Sequence, residues 1–426
     1  MFEKIKLFIV LGLFGIISVL GINTVNAATV EFQECSQITL TDAFINAAQV
    51  STVVTSGIDK TESIYISGDN STVVYCTEKG KPLITGDGKP TASYAQTSSS
   101  SGTNMWIARA IAYGYPELQS GHSVTTCADR RMATQLLVQL IAKQGANGAW
   151  RTYSSSTFSS FVTGSRASAV ASAMLDIRNK MLAEDTRPSF NGQTIELKYV
   201  PASYHWTGSI TDANGVVGSW SHSATGVTVN VSGNTVTLTK ANDDTKTGTV
   251  TFSKTVPSGT LYYSSYSSTF QQTTYYEKST NKTITANLNY TLEDIGKGTV
   301  KIHKIDKYTG KNMQGAKFGI FSDDKCTVKA RDYLGNELPE KTTDKNGFVS
   351  WDNLYYPLEE GGKKTYYVKE TEVIDGYSID NEQMDMLGAG ENACVPVTLV
   401  AEKVSSDEAE EVVYDQNDVE VQAIYN

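Results

Sequence analysis

Between residues 188 and 296 the chain reads as short alternating runs, at 194–200, 205–210, 227–231, 235–239, 248–252 and 283–290. Apolar and polar residues take turns along each run, the pattern of a strand with one face buried. Asp212-Ala213-Asn214-Gly215 and Ser232-Gly233-Asn234 supply turns between them. Regularly spaced short strands of this kind predict an antiparallel β-sandwich.

The residues before Pro188 read differently. Lys4 and Lys6 precede an apolar run from Leu7 to Ile22, and Val25-Asn26-Ala27 forms a small-residue cleavage site, so residues 1–27 are expected to be a signal peptide. An uncleaved anchor is the alternative, although the run is short for a span. No second apolar run of spanning length follows, so no membrane span is expected in the mature chain. A chain of 426 residues, 40% of them apolar, is long enough for two to four domains. A net charge of −10 without a basic cluster argues against nucleic acid or an anionic membrane as partner.

An exported chain meets an oxidising compartment, and this one carries an odd number of cysteines: Cys35, Cys76, Cys127, Cys326 and Cys394. With Cys76 consumed in other chemistry, the remaining four can pair within domains as Cys35 with Cys127 and Cys326 with Cys394. Four cysteines allow three connectivities, and a free or interchain Cys76 stays open.

Cys76 ends the run Val73-Val74-Tyr75 and begins a polar turn. Residues 63–75 read as a hairpin with Gly68-Asp69-Asn70 at its turn, residues 92–102 as a Ser-rich loop, and 105–113 as a short helix closed by Gly114 and Pro116. A better-defined helix follows, capped by Thr125 or Thr126, with Ala133, Leu136, Leu137, Leu140 and Ile141 as its core stripe. Gln135 lies off that stripe by about 160° at helical spacing, on a surface shared with Ala128, Met132 and Gln139. A third helix, over 165–182, presents Val170, Met174, Ile177 and Met181 on one side.

A thiolate and a side-chain amide together can lose ammonia and form an internal thioester. Tyr75-Cys76 and Thr134-Gln135 resemble the reactive strings of the thioester domains of Gram-positive surface adhesins, in which the glutamine follows Thr in a Thr-Gln-x-Ala motif; Leu137 stands here where that motif has Ala. The resemblance implies a thioester between Cys76 and Gln135, opened once by a lysine amine of a host surface or matrix protein, with Tyr75 and Trp106 as candidate aromatic cover. It implies an adhesin that is secreted or held at the cell surface, and not a turnover enzyme, because the glutamine is consumed.

A second resemblance begins at Lys297. Lys304-Ile305-Asp306, Gly315-Ala316-Lys317-Phe318, Asp344-Lys345-Asn346-Gly347 and Tyr367-Val368-Lys369-Glu370-Thr371 follow in an order similar to a SpaA-like or Cna B-type prealbumin-fold repeat. That likeness implies an isopeptide bond between Lys304 and Asn426, with Glu370 as proton shuttle. Burial disfavours the charged forms of both Lys304 and Glu370, leaving a nucleophilic amine beside a carboxyl that can polarise the Asn426 amide. A rim salt bridge between Lys304 and Glu370 is the plainer reading. Lys301, three residues from Lys304, falls on the other face, and Asp306 and Lys307 read as solvated. Lys198 with Asn287 or Asn289 is a further candidate pair.

The expected architecture is an α+β thioester head at 28–187, a β-rich spacer at 188–296 folded as an antiparallel β-sandwich, and a prealbumin-like (Ig-like) module at 297–426. Three other readings compete. In the first, the same folds form a non-covalent binding module with an inert Cys76. In the second, the chain is a structural pilin-type subunit. The third is a Cys-His enzyme, since His122 precedes Cys127, although no cysteine-peptidase motif surrounds Cys76 and no second member of a triad is placed. No Cys or His cluster has metal-ligand spacing, and the chemistry calls for no cofactor.

Overall fold

The computed structural model describes residues 24–28, 30–49, 61–66, 72–78, 81, 92–116, 127–264, 271–306, 309–359, 361–372, 374–375, 394–404, 413–415, 419–420 and 424–425. The chain divides into two compact units: Met1–Thr186 with Ser253–Ile284, and Arg187–Phe252 with Thr285–Asn426.

The first unit is the α+β head. Among the described residues it holds the helices α1 (Asp42–Ala47), α2 (Gly102–Ala112), α3 (Asp129–Gln144), α4 (Ser155–Ser160) and α5 (Ala167–Ala183). Its seven-stranded sheet runs in the order Thr24–Ala28, Ala92–Thr97, Gly259–Ser264, Thr273–Lys278, Val73–Cys76, Thr61–Ile66, Val30–Cys35. Two neighbours in the middle come from a part of the sequence expected to be spacer. Residues 253–284 leave the second unit, lay Gly259–Ser264 against Ala92–Thr97 and Thr273–Lys278 against Val73–Cys76, and return. The head is therefore built from two separated pieces of chain, and the expected spacer 188–296 is interrupted.

The same pairing overturns the loop expected at 92–102. Its first half is a strand, because Tyr94, Ala95, Gln96 and Thr97 find partners in Ser264, Tyr263, Tyr262 and Leu261. No local pattern announces a partner about 170 residues away. Thr24–Ala28 is the sheet's edge strand, straddling the expected cleavage site, and the leader before it lies outside the described residues.

Helix α3 is buried continuously from Arg131 to Ile141. Its Leu136, Leu137, Leu140 and Ile141 join Ile107, Ile111, Trp150, Phe158, Met174 and Ile177 in one core. The expected cap residues Thr125 and Thr126 lie outside the described residues, and the helix begins after Ala128. Just before it, Cys127 is disulfide-bonded to Cys35. That bond ties the start of α3 to the end of the strand Val30–Cys35.

In the second unit, seven strands follow one path: Ser221–Ser223, Thr247–Val256, Lys282–Leu292, Thr194–Val200, His205–Thr211, Thr235–Lys240, Thr228–Ser232. One pair, Lys282–Leu292 with Thr194–Val200, is parallel. The same unit holds the C-terminal module, a sandwich of two sheets. Gly296–Ile305 is central in one, antiparallel to Phe348–Tyr356 and parallel to Val419–Glu420 and Ile424–Tyr425. Lys341–Thr342, Lys317–Phe321, Lys363–Glu372 and Val395–Val400 form the other. Between them Val300, Ile302, Phe318, Ile320, Trp351 and Val368 make the core. Cys326 is bonded to Cys394.

Candidate functional site

The site starts from the alternation of one strand. In Val73–Cys76, Val73 and Tyr75 face the helical core, and Val74 and Cys76 face the other way. Cys76 is 2% exposed, in a small cluster with Val74, Tyr94, Tyr262 and Tyr275. Tyr262 stacks on Tyr275 with ring centroids 4.8 Å apart, and Tyr94 meets Tyr275 edge-on at 5.1 Å. Tyr94 Oη and Thr273 Oγ1, on the strand beside Cys76, are 2.8 Å apart. Burial, with Cys76 and Tyr275 adding to it, pushes the Tyr94 hydroxyl well above the usual phenol range despite that hydrogen bond.

This aromatic cover differs from the expected one. Tyr75 points into the helical core, and its hydroxyl donates to the Tyr115 carbonyl. Trp106 packs edge-on against Trp150 and carries the guanidinium groups of Arg109 and Arg151 over its ring. The cover of Cys76 is Tyr94, Tyr262 and Tyr275, two of them delivered by the returning segment.

The backbone of Cys76 shows how Gln135 arrives. Thr77 N–H donates to the Gln272 carbonyl, so strand alternation turns the Cys76 N–H and C=O to the opposite edge. On that edge the pairing with Thr61–Ile66 is recorded at Tyr65–Val73 and Ile64–Val74 and stops short of Cys76. The Gln135 carboxamide fills the vacated place as a strand's peptide group would. Cys76 N–H donates to Gln135 Oε1 at 3.0 Å, and Gln135 Nε2 donates to the Cys76 carbonyl at 2.8 Å. Gln135 is 2% exposed and comes from α3.

The residue before Cys76 and the residue before Gln135 are fixed to one common point. Thr134 Oγ1 accepts from Tyr115 N–H at 3.1 Å and donates to the Arg130 carbonyl at 2.7 Å, while Tyr75 holds the carbonyl of the same Tyr115. Tyr115 thus registers the strand against α3. Gly114 permits this approach: a Cβ there would run into the Thr134 side chain and stand 2.5 Å from the Ala110 carbonyl.

Beyond Cys76, Glu78 pairs with Lys81 at 2.9 Å and with Lys143 of α3 at 3.3 Å. Burial alone would raise the Glu78 carboxyl, but the hydrogen bonds and charges of Lys81 and Lys143 outweigh it and hold the group below its ordinary value. A cavity of about 740 Å³ opens here, lined by Thr77, Glu78, Tyr94, Asn104, Lys143 and Gln272 among others.

The C-terminal module holds a second pair. Alternation along Gly296–Ile305 buries Val300, Ile302 and Lys304 in phase, and alternation along Lys363–Glu372 buries Tyr366, Val368 and Glu370. Lys304, fully buried, and Glu370, whose side chain is 5% exposed, face each other across the sandwich with Nζ 2.9 Å from Oε2. The pair lies in the interior and not on the rim. Glu370 Oε1 has no hydrogen-bond partner among the described residues. Asn426 lies outside the described residues; in the strand just before it, Ile424 is in register with Lys304 and Tyr425 with Ile305.

Several expectations fail. Asp306 is buried, 7% exposed, and accepts from Thr309 N–H; Lys307 lies outside the described residues. Lys198 is 60% exposed and pairs with Glu196 and Glu293, while Asn289 Oδ1 accepts from Thr249, so no buried Lys-Asn pair forms there. His122 lies outside the described residues, and Cys127 is bonded to Cys35. Among the described residues no group of three His, Cys, Asp or Glu could hold a metal, and no helix is long and apolar enough to cross a membrane.

Residues 298–387 match the model of the SpaA family, described as a prealbumin-like fold domain. No curated protein matches the chain. Among solved structures, it is similar to the thioester domain of the Staphylococcus aureus TIE protein, with TM-score 0.34, 12% identity and coverage of 63% of this chain and 99% of that one. Similarity to the Bacillus anthracis TIE protein has TM-score 0.33, 14% identity and coverage of 94% and 82%. For BcpA, the major pilin subunit of Bacillus cereus, the values are 0.24, 14%, 55% and 68%.

Proposed function

We propose that this chain is a Gram-positive surface adhesin whose head attaches covalently to a host amine through a Cys76–Gln135 thioester, carried on a module cross-linked between Lys304 and Asn426. The observation that carries the reading is the bracket between Gln135 and Cys76. One carboxamide out of a long buried helix satisfies both backbone groups of Cys76, the cysteine that takes part in neither disulfide.

The bracket suits the reaction. It brings the Gln135 carboxamide to the backbone of the residue that carries the sulfur. Cys76 N–H polarises the carbonyl and is positioned to receive the oxyanion as sulfur adds. The Cys76 carbonyl holds the amide nitrogen that departs as ammonia with the thiol proton. The tyrosine cover keeps water from the product. Attack by a target lysine then transfers the Gln135 acyl group to nitrogen and frees the Cys76 thiol, once per molecule.

The buried Lys304–Glu370 pair supports the second bond, with Glu370 as proton carrier and the terminal strand running beside Lys304. A cross-link from the first strand to the last carries tension covalently, which suits a stalk.

Treatment with methylamine tests the head. The account expects one adduct on the wild-type chain, mapped to Gln135, and none on Cys76→Ala; an adduct that survives Cys76→Ala contradicts it.

A further inference from the structure

Gln135 sits at one end of a polar stripe on α3. Gln135, Gln139 and Lys143 follow at four-residue spacing and share a helix face. The first holds Cys76 and the last pairs with Glu78, two residues further along the strand exit. Between them Gln139 is 3% exposed, and its Oε1 has no hydrogen-bond partner among the described residues. The cavity beside this stripe is walled by Thr77, Glu78 and Lys143, and by Tyr94, which also packs against Cys76. A carboxylate held by two lysines, the weaker contact being to Lys143, and the tyrosine that covers Cys76 therefore wall one cavity.

We infer that this cavity is the entry path of the attacking amine and that Glu78 is its specificity-determining residue, choosing cationic primary amines by exchanging Lys143 for the incoming ammonium. The inference rests on the thioester reading above. Replacing one ammonium by another leaves the Glu78 carboxylate paired throughout, so entry does not strand a partly buried charge, whereas a neutral or anionic nucleophile has nothing to exchange. The ammonium first gives one proton to solvent. Nitrogen then bonds to the Gln135 acyl carbon, the carbon–sulfur bond breaks with its electron pair on Cys76, and a second nitrogen proton goes to the thiolate. The products are an amide and a thiol.

The test compares methylamine, a cation at pH 7, with hydroxylamine, neutral at that pH, by following adduct mass on the full secreted chain. Glu78→Gln is expected to slow methylamine roughly tenfold, the weight of one charge-assisted contact, and to leave hydroxylamine unchanged. Lys143→Gln is expected to speed methylamine alone. Equal effects on both amines, or no effect of Glu78→Gln on methylamine, would overturn the inference while leaving the thioester intact. If Glu78→Gln does not fold, Lys143→Gln decides alone: a methylamine rate that does not rise relative to hydroxylamine overturns it. A wild-type chain that takes neither amine overturns both this and the thioester reading.

Discussion

Gln135 occupies, at the edge of Cys76, the position of a missing strand: its carboxamide accepts from the Cys76 N–H and donates to the Cys76 carbonyl. Two buried backbone groups that would otherwise go unpaired are satisfied by the one side chain with which the neighbouring thiol can react. In the proposed function, folding and chemistry call on the same contact.

Because Tyr115 fixes both Tyr75 and Thr134, the closeness of α2 to α3 at Gly114 is a requirement of the site. Gly114→Ala drives a methyl against Thr134 and the Ala110 carbonyl. It is expected to cost the head about 2 kcal/mol, by analogy with other overpacked sites. Denaturant unfolding followed in the head should show the loss, together with a smaller fraction of chains that have lost ammonia.

Tyr94 separates Cys76 from the cavity. Tyr94→Ala should admit water, so the thioester forms but hydrolyses faster, whereas Tyr94→Phe keeps the ring and should behave much closer to wild type. Mass measured over time in buffer, without amine, distinguishes the two: hydrolysis adds one water to the chain.

Glu78 gives the head a pH dependence of definite sign. Its carboxyl is held below the usual value near 4.5, so its contribution to stability is present above that value and disappears as pH falls through the depressed folded value. Stability of the head should decline below about pH 4.5, and Glu78→Gln should flatten that part of the curve. A thermal-unfolding series from neutral to acid pH checks it.

In the C-terminal module, Lys304→Ala and Glu370→Ala each remove one side of the buried contact between these residues. Each is expected to lower the stability of the module, because a buried polar group loses its neighbour. Each should also make the chain one ammonia heavier than wild type, after correction for the substitution, because the cross-link to Asn426 is lost.

Much of this was legible in the chain, and the failures share a physical cause. Cys76, Gln135, Lys304 and Glu370 were singled out by resemblance of their local strings to known families, and helical spacing set Gln135 apart from the Leu136–Leu140 stripe. What stayed hidden depended on partners distant in sequence. Residues 92–97 read as a loop because the strand Gly259–Ser264 that completes them lies far along the chain. The same return of 253–284 supplies Tyr262 and Tyr275, so the cover of Cys76 could not be found near Cys76. Asp306 read as solvated because its partner is a turn N–H, at Thr309, that a composition-based reading does not register.

The most direct measurement is the intact mass of the secreted chain beside that of Cys76→Ala, both denatured in acid. The account predicts that wild type is short by one ammonia that Cys76→Ala regains, with the deficit mapping to a linked peptide pair containing Cys76 and Gln135. A wild-type chain whose mass already contains that ammonia, differing from Cys76→Ala only by the sulfur atom, would contradict it.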